Sequence, residues 1–134
     1  MSNADTKHLV EKAVADIQKL VPALAGLKLV AELELRGRGD VQLYRVELGG
    51  RGQVRITKDI ASDAKVRVSI PRSHFNELVE HPGLRFWREA FESGHARAIG
   101  PPQTLKLIEQ VARKQEERDR SKRARGQGRR LTAS

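Results

Sequence analysis

The sequence predicts a single α+β domain. Three observations support this: the apolar period starts near 3.6 residues, switches to two through the middle of the chain and returns to 3.6; turn residues mark the switches; and no linker divides the 134 residues. A chain of this length buries about two-thirds of the surface its unfolded form exposes, enough for one core without disulfides or a structural metal. That matters because Cys is absent. Its absence excludes thiol catalysis, zinc ribbons and iron-sulfur clusters and fits a reducing compartment. Met1 to Lys7 lacks the basic and apolar regions of a secretory signal, and the apolar runs fall far short of the roughly 20 residues a spanning helix needs. A cytoplasmic address is the expectation.

The first helix is carried by Val10, Ala13, Val14, Ile17, Leu20, Val21 and Leu24 at three- and four-residue steps, with Glu11, Lys12, Asp16, Gln18 and Lys19 on the other face. Asp5 or Thr6 offers its cap, and Pro22 with Gly26 places its end near residues 20–25. From Leu27 the period is two. Leu29, Ala31, Leu33 and Leu35 share one face of a strand whose wet face holds Lys28, Glu32, Glu34 and Arg36. Gly37 to Asp40 is turn chemistry, so the Arg-Gly-Asp tripeptide there reads as a hairpin turn. Val41–Leu48 is a second strand, and Gly49-Gly50 supplies the positive φ of a tight hairpin. A third strand turns Val54 and Ile56 inward, and a fourth carries Ala64, Val66, Val68 and Ile70 until Pro71 stops it.

Ser73 is the expected cap of a short helix with Phe75, Leu78 and Val79, ended by Pro82-Gly83. A second short helix over Leu84–Glu92 has a broad apolar face of Leu84, Phe86, Trp87, Ala90 and Phe91. A brief fifth strand, His95–Ile99, leads through Gly100-Pro101-Pro102 into a last helix with Leu105, Ile108, Val111 and Ala112 on one face. Past Ala112 the stripe disappears. Lys114–Arg125 can continue as a solvated helix through pairs such as Glu116 with Arg120 and Asp119 with Arg123, until Gly126 and Gly128 end it. The organisation is thus residues 1–112 as the folded domain and 113–134 as a basic, partly helical or disordered tail.

The formal net charge is +9, but nine Lys or Arg and three Asp or Glu fall between Arg113 and Ser134, so +6 belongs to the tail and +3 to the rest. Such a tail speaks to partners and solubility rather than to fold. No catalytic or metal motif stands out. His8, His74, His81 and His95 lie in separate elements without metal-binding spacing, no G-x-S-x-G elbow presents a nucleophile, and the Gly pairs are not followed by a phosphate-loop Lys. The informative feature is the clustering of Phe75, Phe86, Trp87 and Phe91, four of the five aromatic residues, within seventeen positions. Either they complete the core, or they wall an apolar pocket where helices lean on a sheet without filling the space beneath.

The order of elements, with Asp63–Ile70, Phe75–Leu78, and above all Ala90–Gly100 followed by Leu105-Lys106-Leu107, resembles the sterol carrier protein 2 family over about residues 8–112. The resemblance implies a five-stranded, mainly antiparallel sheet with helices packed on one face, and an apolar tunnel between them for fatty acids, acyl chains, sterols or isoprenoids. By position, Phe75, Leu78, Leu84 and Phe86 would line or close that tunnel together with Trp87, Phe91, Leu105 and Ile108. It implies a carrier rather than an enzyme, without cofactor or metal. The Gly100-Pro101-Pro102 run departs from the family's Gly-Asp or Gly-Asn before the last helix. A second reading makes the tail the functional part, with Lys122, Arg123, Arg125, Arg129 and Arg130 holding nucleic acid or an anionic membrane surface. No aromatic residue is interleaved with these charges for stacking on bases, which argues against the nucleic acid.

Overall fold

A computed structural model describes the backbone of residues 3–133 and the side chains of residues 5–124. The first apolar stripe becomes helix α1 (Asn3–Leu20), with Val10 fully buried and Ala13 nearly so. Asp5 and Thr6 lie inside its first turn instead of capping it. Thr6 is buried, and its hydroxyl accepts a 2.6 Å bond from Arg72 Nη2. Pro22 cannot continue the α1 hydrogen-bond ladder, and the chain tightens into a 3-10 turn, η1 (Pro22–Gly26).

Five strands follow: β1 (Lys28–Arg36), β2 (Val41–Gly49), β3 (Val54–Thr57), β4 (Val66–Pro71) and, after two helices, β5 (Arg97–Ile99). They form one sheet in the order β3-β2-β1-β4-β5. Three pairings are antiparallel; β1 and β4 run parallel because the chain crosses from the β3 edge past the central strand before pairing. The resulting architecture is the α+β one expected, with a mixed sheet in which antiparallel pairing predominates. The β1–β2 turn is closed by Gly37 N–H donating to Asp40 O at 2.9 Å, as the turn residues predict. Between β2 and β3 the turn is longer than a two-residue hairpin. Gly50 and Gly52 both take positive φ, and their N–H groups donate to Leu27 O and Ala25 O, tying the loop to η1.

Register sets the faces. Leu33 stands opposite Tyr44 on β2 and Val68 on β4, and Leu35 opposite Ile70, so the alternating apolar residues share the face that the helices cover. Helix α2 (Arg72–Glu80) follows Pro71 directly, with Pro71 rather than Ser73 at the cap position and no side-chain cap. Its Phe75, Leu78 and Val79 join Val10 and Ala13 of α1 on Leu35, Tyr44, Val46, Ile56 and Ile70 to make the core. Arg72 fastens this corner: besides Thr6 it donates to Gln42 Oε1 at 3.1 Å, linking α2 to α1 and β2. Burial raises the pKa of the Tyr44 phenol beside it, opposed by Thr6 and Arg72.

Two strand expectations need correction. Val54 faces the helices' side but stays 38% exposed, since β3 is a short edge strand. Glu32, expected on a wet face, is only 7% exposed. The β3–β4 loop folds over it, and its carboxylate accepts the N–H of fully buried Ala61 at 3.0 Å. The same loop is held by the two-pronged Arg45–Asp63 ion pair, in which Arg45 keeps the Asp63 carboxyl below its ordinary pKa. Ala64 precedes β4 instead of belonging to it.

Helix α3 (Leu84–Glu92) has the expected limits, and β5 is shorter than expected. Helix α4 (Pro102–Ala133) is continuous: it does not end at Gly126 or Gly128 as the glycines suggest. Gly100 sits where the chain enters it. A Cβ there would lie 2.9 Å from Lys65 O and 3.3 Å from Val66 Cγ2, so the turn must hug β4.

Two substitutions test this account. Glu32→Ala strands the Ala61 N–H in the interior and is expected to lower stability by about 1–3 kcal/mol in urea unfolding; an unchanged midpoint would contradict the buried bond. Gly100→Ala should cost about 1–3 kcal/mol by the same assay, because the blocking atom is backbone and cannot turn aside.

Candidate functional site

The helices cover the sheet unevenly. At one end, Leu35, Tyr44 and Ile70 are at most 1% exposed beneath α1 and α2. Along the same face toward the other end, Leu29, Ala31 and Leu33 of β1, Leu48 of β2 and Val68 of β4 are only half-buried, although Val46, Ile56 and Val66 among them are buried. Central position alone should bury Leu33 completely, since β1 has a strand on each side and helices above. Helix α3 packs on α4 and α4 on η1, and both touch the sheet only slightly.

Local chemistry fixes α3 in this position. Gly83 O accepts the N–H groups of Phe86 and Trp87 in the first turn, and Ala90, 1% exposed, accepts at its carbonyl from Ala96 N–H (2.9 Å) and Ser93 Oγ (3.2 Å). The Trp87 ring meets Phe75 edge-on, with centroids 6.5 Å apart. The eight residues expected to line a tunnel therefore divide. Phe75 and Leu78 belong to the dense core, and Trp87 packs against it. Leu84, Leu105 and Ile108 are half-buried, while Phe86 and Phe91 are 45% and 41% exposed. Leu33 and Val68, read from the sequence only as inward strand residues, are half-buried and pack against the edge of the same core.

A second feature lies on the outer side of α3. A half-open groove of about 620 Å³ runs between α3 and the distal part of α4. Its apolar lining is Leu20, Leu84 and Phe86; its charged walls are Arg85, Arg88 and Glu89 from α3 and Glu116, Asp119, Arg120 and Arg123 from α4. Arg88 Nη1 donates to Glu116 Oε2 at 2.6 Å, and Arg85 is paired with Glu89 at 3.0 Å. The Glu116 side chain is only 15% exposed, so the helix beyond Ala112 docks on α3 through polar residues that continue its inner stripe. The expected Glu116–Arg120 pair forms at 4.0 Å, whereas Asp119 accepts a 3.0 Å bond from the Gln115 amide. Of the basic residues assigned to polyanion binding, Lys122 and Arg123 are exposed; the side chains of Arg125, Arg129 and Arg130 lie outside the described residues.

One pair was not foreseen from spacing. His74 of α2 and His95, just before β5, stack at 4.5 Å with an interplanar angle of 7°. The His95 Nδ1 also lies 2.6 Å from Ser93 Oγ. Among the described residues no three His, Cys, Asp or Glu side chains are grouped to hold a metal, and no helix is long and apolar enough to cross a membrane.

No protein-family model matches the chain, and no curated protein matches its sequence. Solved structures do resemble it. The structure of UbiJ-SCP2, a ubiquinone synthesis protein, is 18% identical, with a TM-score of 0.51 over 87% of this chain and 96% of its own. Sterol carrier protein 2-like 2 from Aedes aegypti is 14% identical in its crystal structure, with a TM-score of 0.52 over 81% of this chain and 97% of its own. The solution structure of the palmitated form of that protein gives a TM-score of 0.50 at 14% identity, over 72% of this chain and 91% of its own. A five-stranded sheet with β1 parallel to β4, covered on one face by helices that leave part of it accessible, is therefore the sterol carrier protein 2-like fold, and this chain has it.

Proposed function

We propose that the chain binds an apolar molecule, such as a fatty acid, acyl chain, sterol or isoprenoid, between the sheet and helices α3 and α4, and carries it without transforming it. The observation that supports this best is the half-buried state of Leu33 and Val68 on the helix-covered side of the sheet's central strands. Carbon left accessible there is carbon an alkyl chain can cover. Each methylene withdrawn from water contributes about 0.8 kcal/mol, so a chain of about sixteen carbons has roughly 12 kcal/mol gross, which association and ordering costs reduce to a micromolar scale. Walls of Leu, Val, Ile and aromatic carbon discriminate one methylene by only a factor of about ten, so the expected preference is broad. The palmitated state of the Aedes aegypti protein supports an acyl ligand for the shared fold.

Basic residues on α4 suit an anionic membrane surface at which such cargo is exchanged, because each contributes about 1 kcal/mol near that surface. Binding to nucleic acid is less well supported, for want of aromatic residues among those charges.

The test is a substitution that fills space. Val68→Phe should reduce displacement of a fluorescent fatty acid by at least about tenfold while leaving the urea midpoint near wild type, as expected if the added ring enters space the ligand would take. A loss of about 1–3 kcal/mol in stability with unchanged binding would mean that the interior is solid and the site lies elsewhere.

A further inference from the structure

The groove on the outer side of α3 has a composition that an apolar pocket does not need. We infer that it receives the anionic head, a carboxylate or phosphate, of a single-chain amphiphile, with Arg120 and Arg123 of α4 selecting charged over neutral ligands. This rests on the reading that an apolar chain is bound beneath α3.

Three observations converge on this assignment. First, the groove is amphipathic in the required sense: Leu20, Leu84 and Phe86 offer carbon, and guanidinium groups stand above it. Its volume of about 620 Å³ falls within the range of small-molecule sites, about 300–1,000 Å³. Second, α3 presents apolar side chains in two directions. Trp87 points to the core side, edge-on to Phe75, whereas Leu84 and Phe86 line the groove. A chain held under α3 and a head held outside it can belong to one molecule. Third, the charge in the groove is unbalanced. Four arginines face three carboxylates, and the carboxylates are already engaged: Glu89 by Arg85, Glu116 by Arg88 and Asp119 by the Gln115 amide. Arg120 reaches Glu116 only at 4.0 Å, and Arg123 has no hydrogen-bond or ion-pair partner among the described residues. Two guanidiniums with spare donors, one turn apart on one helix face, suit the two or three oxygens of a carboxylate or phosphate.

The other face of α4 supplies the control. Lys114 and Arg118 lie there, in a separate shallow recess with Glu117 and Ser121, and carry the same charge without facing Leu84 or Phe86. The experiment compares palmitate, hexadecyl phosphate and hexadecanol as competitors of a bound fluorescent polyene fatty acid. The proteins compared are wild type, the double variant R120Q/R123Q and the double variant K114Q/R118Q, with inorganic phosphate as a further competitor. The expected result is that R120Q/R123Q weakens palmitate and hexadecyl phosphate about tenfold and leaves hexadecanol unchanged. K114Q/R118Q should leave all three unchanged, and inorganic phosphate at the same concentration should displace nothing. Equal effects of the two double variants would reduce the arginines to a diffuse field and overturn the head assignment, as would an equal loss of hexadecanol. Displacement by inorganic phosphate alone would overturn the amphiphile in favour of a free anion. If the wild type binds neither probe nor hexadecanol, the apolar site beneath α3 fails and the head assignment falls with it.

Discussion

The packing of helices α1 and α2 on one face of the sheet is what the rest of the structure depends on: it buries Leu35, Tyr44 and Ile70 and, further along, Val46 and Ile56, while Leu29, Leu33, Leu48 and Val68 stay half-buried. Phe75, Leu78 and Val79 of α2 and Val10 and Ala13 of α1 bury Leu35, Tyr44 and Ile70 almost completely. Helix α3 packs on α4 and α4 on η1, with Leu105, Ile108 and Val111 half-buried, and both touch the sheet only slightly. A folded interior normally packs at the density of an organic crystal. The half-buried residues of this face are where the proposed apolar ligand would lie, beside a core dense enough to supply stability.

Polar contacts fasten the helices at two places. The Arg88–Glu116 pair draws the polar stretch of α4 onto α3, and Arg72 braces α1, α2 and β2 at the dense end. Surface ion pairs contribute little individually, about 0–1 kcal/mol, so these contacts set the placement of the helices more than the stability of the fold. Buried Glu32 and the Arg45–Asp63 pair do a different task. They fix the long β3–β4 crossover on the outer face and so allow β4 to run parallel to β1.

Much of the fold was legible in the sequence because its strands alternate cleanly and its helices are bounded by Pro and Gly. Leu29–Leu35, Tyr44–Leu48 and Val66–Ile70 all place their apolar residues on the side the helices cover, and the limits of α3 follow from Gly83 and Ser93-Gly94. Tertiary placement was not legible. Nothing in the alternation of β1 reveals that a distant loop buries Glu32, and no spacing reveals that His74 and His95 stack. The candidate site was legible as composition and not as geometry: clustering of aromatic residues pointed to α2 and α3, but could not distinguish Phe75, locked in the core, from Phe86, turned to the groove. Likewise the charges beyond Ala112 read as a solvated tail, because a helix that docks through Gln115, Glu116 and Asp119 carries no apolar stripe.

The central claim is that an alkyl chain lies against the half-buried residues of this sheet face. Nuclear Overhauser contacts between carbon-labelled palmitate and the methyl groups of the protein test it most directly. The account predicts contacts from the chain methylenes to the methyls of Leu33 and Val68 and to the Trp87 ring. Contacts confined to exposed residues such as Ile60 and Ile99, with none to Leu33 or Val68, would contradict it.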